Sequence, residues 1–148
     1  MSHPSIDHWA LQLAHTTASR ATCHRRQVGC VLLNGFGHVL ATGYNGVAAG
    51  MPHCRGGLPG NRCPGADSPS GQNLDGCQAI HAEQNALLQC HDVQQIATAY
   101  VTASPCVTCV KLLLNTGCRR IIFSEEYPHE QAKELWQRTG RIWCQLPI

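Results

Sequence analysis

The sequence contains few charged residues and almost no excess of either sign. Charged side chains make up 14% of the 148 residues, and the formal net charge is +2. No basic run with interleaved aromatic residues occurs, so the sequence does not indicate a nucleic-acid partner. We expect the scattered Arg and Lys side chains to form an ordinary solvated surface.

Long apolar runs are also missing. No stretch approaches the length of a transmembrane helix, and residues 1–8 lack the apolar centre of a secretory signal peptide. We therefore expect no membrane partner and a cytoplasmic location, or the host cytoplasm if the source is a virus. There is no internal repeat, and the length suits a single domain over residues 1–148.

Cysteine, by contrast, is abundant, with 10 residues. This count indicates a disulfide framework in a secreted chain and a metal site in a cytoplasmic enzyme. One group lies in apolar segments and is expected to be buried: Cys30, Cys90, Cys118 and Cys144. A second group lies in polar or Gly/Pro-rich surroundings, where a core role is not expected: Cys23, Cys54, Cys63 and Cys77.

Hydrophobic periodicity predicts an α/β fold with a mixed sheet. Helices are expected over residues 6–19, 79–91, 105–116 and 128–138, and strands over residues 28–34, 38–43, 98–103, 119–124 and 141–146. Strands that alternate with helices indicate parallel pairing and a sheet covered on both faces, a three-layer α/β/α arrangement. The opening hairpin makes the sheet mixed. A Cys-rich loop insertion at about residues 47–76 needs something to hold it.

The most informative residues are His81, Cys106 and Cys109. One histidine and two cysteines make three zinc ligands, which leaves the fourth tetrahedral position for water. Glu83 is close enough to handle the proton of that water without being a ligand. Pro105 can open a helix at its first turn, and a helix N-terminus favours the thiolate form that zinc requires.

Each half of this pattern is ambiguous alone. The C-x-x-C pair could be a redox pair, half of a structural zinc site or two buried thiols, and His81 could be a packed residue. Together, H-x-E at residues 81–83 and P-C-x-x-C at residues 105–109 match the signature of zinc deaminases. The combination predicts hydrolytic removal of an amino group from a ring carbon, with Glu83 as the catalytic acid and base.

Motifs along most of the chain resemble the cytidine deaminase-like superfamily, and within it the deoxycytidylate (dCMP) deaminases. The matching stretches are R-Q-V-G-C at residues 26–30, G-Y-N-G at 43–46, H-A-E-Q-N-A at 81–86, Y-V-T at 100–102 and S-P-C-V-T-C at 104–109. The resemblance implies a five-stranded sheet with helices on both sides. It also implies deamination of dCMP to dUMP and ammonia, which supplies dUMP for thymidylate synthesis.

The Tyr-Asn-Gly element, Asn85 and the Cys-bearing loop favour the dCMP deaminases within the superfamily. Small cytidine deaminases usually have Cys at the position of His81. The tRNA adenosine deaminases need a tRNA surface, and the riboflavin-pathway enzymes usually carry a second, reductase domain. The alternative function is deamination of another nucleobase compound: cytosine, cytidine, guanine or tRNA adenosine. A non-enzymatic zinc scaffold is disfavoured because such a protein has no need of Glu83.

The resemblance implies roles for several residues in substrate binding. Asn45 would bond the nucleotide, although Asn-Gly is also a common turn. Arg25 and Arg26 would bind the 5′-phosphate, or form a solvated charge pair. Tyr127 would stack on the base or close the pocket, or be a partly buried surface residue. Three further residues would line the site: Ala82, Thr102 and Ser104. For the two hydroxyl residues, Thr102 and Ser104, simple turn capping is the alternative.

Some dCMP deaminases bind a second, structural zinc. Cys23 and Cys54 resemble two of its ligands, and Cys63 and Cys77 could complete the site, with His24 or His53 as alternatives; reduced, unligated thiols are the competing interpretation.

Regulated members of the family are hexamers activated by dCTP and inhibited by dTTP, with Mg²⁺ accompanying the triphosphate. Effector contacts are expected at Gly46, Gly50 and Asn85. Asp92 stands where some regulated relatives have arginine.

Overall fold

The structure is a computed structural model that describes residues 3–22, 26–51 and 79–147. In these residues it has the helices α1 (Ile6–Ala18), α2 (Ala82–Gln89), α3 (Val107–Leu114) and α4 (Glu130–Arg138). The strands are β1 (Gly29–Asn34), β2 (Val39–Tyr44), β3 (Gly46–Val47), β4 (Ala79–Ile80), β5 (Ile96–Ala103), β6 (Arg120–Glu125) and β7 (Ile142–Gln145). A single 3₁₀ turn, Val93–Gln95, leads into β5.

Five of these strands form one mixed sheet in the order β2-β1-β5-β6-β7. β1 is antiparallel to both β2 and β5, whereas β5, β6 and β7 are parallel to one another. The predicted three-layer α/β/α arrangement with a mixed five-stranded sheet is confirmed. β1 therefore runs opposite to the other four strands of this sheet.

Alternating side chains of the central strands build two cores. Leu32, Val101 and Phe123 point to the face covered by α2, α3 and α4. Val31 and Tyr100 point to the opposite face, where α1 packs with Ala10, Leu11 and Ala14. Strands with both faces buried are near-continuous apolar runs, which is the pattern of β1 and β5.

Two glycines let helices approach the sheet closely. A Cβ added at Gly29 would lie 1.9 Å from the carbonyl oxygen of Ala14 in α1, and one at Gly43 would lie 2.4 Å from the carbonyl oxygen of Ala82 in α2. A side chain at either position would push the helix away from the sheet. Gly43 therefore helps to position the start of α2, where His81, the predicted metal ligand, lies.

Three local predictions are wrong. Ala79–Ile80 is the short strand β4, which pairs with β3, so α2 begins three residues later than predicted. Pro105 lies before the helix, because Cys106 is the N-cap of α3 and the helix begins at Val107. Cys144 is exposed, because β7 is an edge strand and apolar neighbours do not show which of its faces meets the core.

Of the three other cysteines predicted to be buried, Cys30 and Cys118 are buried and Cys90 is half-buried. None of the helices in the described parts of the chain has the length and apolarity needed to span a bilayer. Most of the loop insertion, from residue 52 onward, lies outside the described residues.

Candidate metal centre and nucleotide pocket

The three predicted ligands lie at the starts of two helices. His81 is the N-cap of α2, Cys106 is the N-cap of α3, and Cys109 is the third residue of α3. The backbone N–H of His81 donates to Oε1 of Gln84 at 2.9 Å, so a neighbouring side chain satisfies the backbone at this helix start. The spacing of three residues between the cysteines brings both sulfurs to the first turn of α3.

Nδ1 of His81 lies 3.3 Å from Sγ of Cys109 and 3.5 Å from Sγ of Cys106. All three donor atoms are within 4.8 Å of one another. Tetrahedral zinc, with bonds of about 2.0 Å to nitrogen and 2.3 Å to sulfur, separates such ligands by roughly 3.5 Å. Nitrogen and sulfur donors at these separations fit zinc. Among the described residues, these are the ones that would hold the metal.

The protonation of the two cysteines is coupled. A hydrogen bond from Cys109 lowers the pKa of Cys106 to about 3, although burial acts in the opposite direction. The same hydrogen bond, together with burial, raises the pKa of Cys109. The hydrogen bond to Cys106 also raises the pKa of His81. The cluster thus already favours one thiolate, and coordination to zinc deprotonates thiols outright.

Glu83 is the second residue of α2 and is only 5% exposed. Burial raises its pKa, and the nearby charge of His81 partly offsets this rise. A buried carboxyl group whose proton affinity is increased is suited to accept and release a proton beside a metal. The structure thus places the predicted catalytic acid and base two residues after the N-cap His81.

Asn45 is buried, and both polar atoms of its side chain contact backbone. Its Oδ1 accepts from the N–H of Val28 at 2.7 Å, and its Nδ2 donates to the carbonyl oxygen of Arg26 at 3.0 Å. These two hydrogen bonds therefore hold the backbone segment that carries Arg26. Its predicted contact with the nucleotide stays a prediction.

Arg26 and Tyr127 are in contact. The guanidinium carbon of Arg26 lies 4.8 Å from the centre of the Tyr127 ring, a cation–π geometry. Ser104 supports this contact, because its Oγ accepts from the backbone N–H of Tyr127 at 2.8 Å and its own N–H donates to the carbonyl oxygen of Glu125 at 2.9 Å. Ser104 is two residues from the ligand Cys106, so this contact lies beside the metal centre.

Thr102 and Ala82 are both buried. Thr102 Oγ1 accepts from the N–H of Gly29 at 3.2 Å and thereby joins β5 to β1. It also borders a cleft of about 260 Å³ on the α1 side of the sheet, with His15 and Tyr127. Ala82 is fully buried in the core at the start of α2.

The three predicted effector residues lie together. Gly46, Gly50 and Asn85 line one cleft of about 340 Å³ next to β3 and α2. Asn85 Nδ2 donates to the carbonyl oxygen of Tyr44 at 2.8 Å and so ties α2 to the end of β2. The side chain of Asp92 accepts from the N–H of Gln94 at 3.0 Å, which is a local cap of the 3₁₀ turn.

The remaining predicted residues lie outside the described parts of the chain. They are Arg25 and the possible ligands of a second zinc: Cys23, His24, His53, Cys54, Cys63 and Cys77.

No sequence motif pointed to His129, the N-cap of α4. Its ring lies edge-on to Tyr127 with centres 6.2 Å apart, and its Nε2 is buried without a hydrogen-bond partner among the described residues. Burial lowers the pKa of His129. No spacing rule connects it to residues 81–83 or 105–109, so only its place two residues after Tyr127 could have indicated a role.

A family profile described as the cytidine and deoxycytidylate deaminase zinc-binding region matches residues 4–125. This match covers most of the chain and both halves of the metal centre. The chain belongs to this family.

Individual members of the deaminase family are also similar to the chain. It is 40% identical over 130 residues to a deoxycytidylate deaminase of Saccharomyces cerevisiae, with 86% of this chain and 40% of the yeast protein covered. It is 38% identical over 134 residues to a deoxycytidylate deaminase of Mycobacterium phage D29, with 85% of this chain and 99% of the phage protein covered. The chain thus spans about two fifths of the yeast relative and nearly all of the phage relative.

The fold is similar to that of a solved structure, the dCMP deaminase of cyanophage S-TIM5 in complex with dCMP and dUMP. The TM-score is 0.73 with 24% identity, and 99% of this chain and 100% of the phage chain are covered. At this identity the similarity supports the fold of the deaminase family.

Proposed function

We propose that the chain catalyses the zinc-dependent hydrolytic deamination of dCMP to dUMP and ammonia. The observation that carries this proposal is the cluster of His81, Cys106 and Cys109 with buried Glu83 beside it. Two relatives with 38% and 40% identity that are named deoxycytidylate deaminase support dCMP as the substrate.

Zinc held by the three ligands would supply a water molecule whose pKa is lowered toward neutrality. Glu83 takes a proton from the attacking water and delivers it to N3 of cytosine as oxygen adds to C4. Glu83 then takes the second proton, from the hydroxyl group now on C4, and passes it to the amino group, so the C4–N bond breaks, the C4 carbonyl forms and ammonia leaves. Its burial keeps bulk water from competing for these protons.

In this proposal Arg26 binds the 5′-phosphate, and Asn45 holds the backbone that carries Arg26. The support is the pair of side-chain hydrogen bonds of Asn45, one donated to the carbonyl oxygen of Arg26 and one accepted from the N–H of Val28, with the Tyr127 ring beneath the guanidinium group. Arg25 and direct contacts of Asn45, Ala82, Thr102 and Ser104 with the nucleotide belong to the same proposal, on the resemblance alone.

We also propose that dCTP activates and dTTP inhibits the enzyme, with Mg²⁺ bound to the triphosphate. The cleft beside β3 and α2 supports this idea, since the three residues expected to contact an effector border it. The sequence pattern supports two further proposals, a single domain over residues 1–148 and a cytoplasmic location. The resemblance alone supports three more: a homohexamer, a structural zinc and the supply of dUMP for thymidylate synthesis.

The test is ammonia release from zinc-replete protein offered dCMP, deoxycytidine, CMP or cytosine, each with and without dCTP and Mg²⁺. Turnover of dCMP in preference to the other three is the expected result, and stimulation by dCTP would support the effector site. Preference for deoxycytidine or cytosine would refute both the substrate and the role of Arg26, although the deaminase chemistry would remain.

A further inference from the structure

Two buried polar side-chain atoms have no hydrogen-bond partner within residues 3–22, 26–51 and 79–147. They are Nη1 of Arg26 and Nε2 of His129. An unsatisfied buried donor costs on the order of 1–3 kcal/mol, so folded proteins rarely retain one without a purpose. Arg26 Nη1 is a donor, and His129 Nε2 is a donor in the tautomer that carries its proton there, so a ligand with acceptor atoms would satisfy both.

Both residues contact one aromatic ring. Arg26 precedes β1 and His129 is the N-cap of α4, yet each side chain contacts the ring of Tyr127. The guanidinium carbon of Arg26 lies 4.8 Å from the ring centre, and the imidazole meets the ring edge-on at an interplanar angle of 75°. Tyr127 is fixed in turn by the 2.8 Å hydrogen bond from its backbone N–H to Ser104.

The surroundings hold the backbone of both residues in place before any ligand binds. Asn45 holds the carbonyl oxygen of Arg26 at 3.0 Å. The backbone N–H of His129 donates to the carbonyl oxygen of Tyr127 at 2.7 Å, and the carbonyl oxygen of His129 accepts from the N–H of Ala132 at 3.0 Å. Preformed donors of this kind bind a ligand with little loss of conformational freedom.

The chemistry of the pair selects the ligand group. A guanidinium ion is a permanent cation with several N–H donors, and an imidazole Nε2 can donate one further hydrogen bond. A phosphate group accepts both, because its oxygens are anionic and it has several of them. A nucleobase edge offers no charge to match Arg26.

We propose that His129 donates a hydrogen bond from Nε2 to the 5′-phosphate of the nucleotide, beside Arg26. His129 thereby determines the preference for a nucleotide over the corresponding nucleoside. This inference rests on the proposed function, since it assigns a binding role within the same pocket. Because it concerns binding, it can be tested without turnover.

The proposed product dUMP and the nucleoside deoxyuridine differ only in the phosphate group. Calorimetric titration of zinc-replete protein with each compound therefore isolates the phosphate contact.

Two variants probe the donor atom. His129→Gln retains an amide nitrogen near the reach of Nε2, and His129→Asn does not. We expect His129→Asn to weaken dUMP binding roughly tenfold to hundredfold, with deoxyuridine binding unchanged. His129→Gln should weaken dUMP binding less. The matched control is His91→Asn at an exposed histidine, which should bind dUMP as the native protein does.

The outcomes separate this inference from the proposed function. If the native protein binds dUMP and deoxyuridine equally, the nucleotide substrate itself is refuted. If it prefers dUMP and His129→Asn keeps that preference, the role of His129 is refuted while the proposed function stands. Should both His129 variants fail to fold, ¹⁵N NMR of the native protein decides. The Nε2 resonance of His129 must shift with dUMP and not with deoxyuridine.

Discussion

On the α1 face of the sheet, the polar side chains that approach the core are paired with one another. Tyr100 donates to Asp7 at 2.6 Å, and Arg120 donates to the same carboxylate at 2.9 Å and to Thr98 at 3.3 Å. On the opposite face, within the described residues, Glu83 is buried beside the metal ligands and two buried nitrogens lack partners. The α1 face is complete without a ligand, and the metal face needs one.

The difference shows how the same kinds of group serve stability in one place and binding in another. A buried polar network contributes to folding when each member is satisfied, and an unsatisfied one costs free energy until a ligand binds. Substitutions on the metal face should therefore mainly change activity and binding. Substitutions on the α1 face should mainly change the free energy of unfolding.

The largest effect is expected from Cys109→Ala. Loss of one ligand should release the catalytic zinc and reduce ammonia formation from dCMP to background. The reason is that the variant keeps only two of the three protein ligands that a catalytic zinc site uses. The matched control is Cys118→Ala, also fully buried and outside the ligand cluster. Zinc content by atomic emission should fall by one equivalent in the first variant only. Equal zinc loss in both would contradict the assignment.

The next effect is expected from Glu83→Gln. Zinc should stay bound while kcat falls by about 10²–10⁴-fold, the usual contribution of a positioned general acid and base. Burial raises the pKa of Glu83, so the folded state disfavours the ionised carboxylate and the variant should unfold at the same or a higher temperature. Glu134→Gln, at an exposed position on α4, is the control. Retained turnover in zinc-replete Glu83→Gln would eliminate this role.

A smaller effect, on both the free energy of unfolding and ligand binding, is expected from Asn45→Ala. Asn45→Ala removes two buried hydrogen bonds to the backbone around Arg26 and should lower the free energy of unfolding by about 1–3 kcal/mol. It should also weaken dUMP binding, because Arg26 loses its support. Asn34→Ala is the matched control, since the Asn34 side chain also makes two hydrogen bonds to the backbone, both accepted from N–H groups, but in the exposed β1–β2 turn. Urea unfolding should show a larger loss for Asn45→Ala than for Asn34→Ala.

The smallest effect is expected from Asp7→Asn, which should destabilise the protein by about 1 kcal/mol at pH 7 because the ion pair is partly exposed. Burial alone would raise the pKa of Asp7, but the hydrogen bonds from Tyr100 and Arg120 and the charge of Arg120 lower it overall. A carboxyl group with a lowered folded-state pKa contributes stability above its unfolded pKa of 3.8.

That contribution is lost as the pH falls from 3.8 through the folded-state pKa. The difference in unfolding free energy between native protein and Asp7→Asn should therefore shrink in acid, as urea titrations at pH 7 and below 3.8 would show. The kcat of Asp7→Asn should match that of the native protein. A large loss of kcat with unchanged stability would invalidate the contrast between the two faces.

The metal ligands and Glu83 could be predicted from the sequence because their geometry is local. His81 and Glu83 lie within the first turn of one helix, and Cys106 and Cys109 within the first turn of another. The order of helices and strands followed from apolar runs for the same reason. The start of α2 was misplaced because β4 depends on a partner strand more than thirty residues earlier in the chain, which local periodicity does not reveal.

Only the tertiary structure decided which groups surround the metal centre. The segment before β1, the loop after β6 and the start of α4 place Arg26, Tyr127 and His129 in contact, although about one hundred residues separate the first from the other two. Asn45 was predicted to bind a nucleotide, and packing turned both of its polar atoms to the backbone. Short-range spacing determines which side chains share one turn of helix. Contacts among distant segments depend on how the sheet and helices pack, and no pattern of neighbouring residues contains that information.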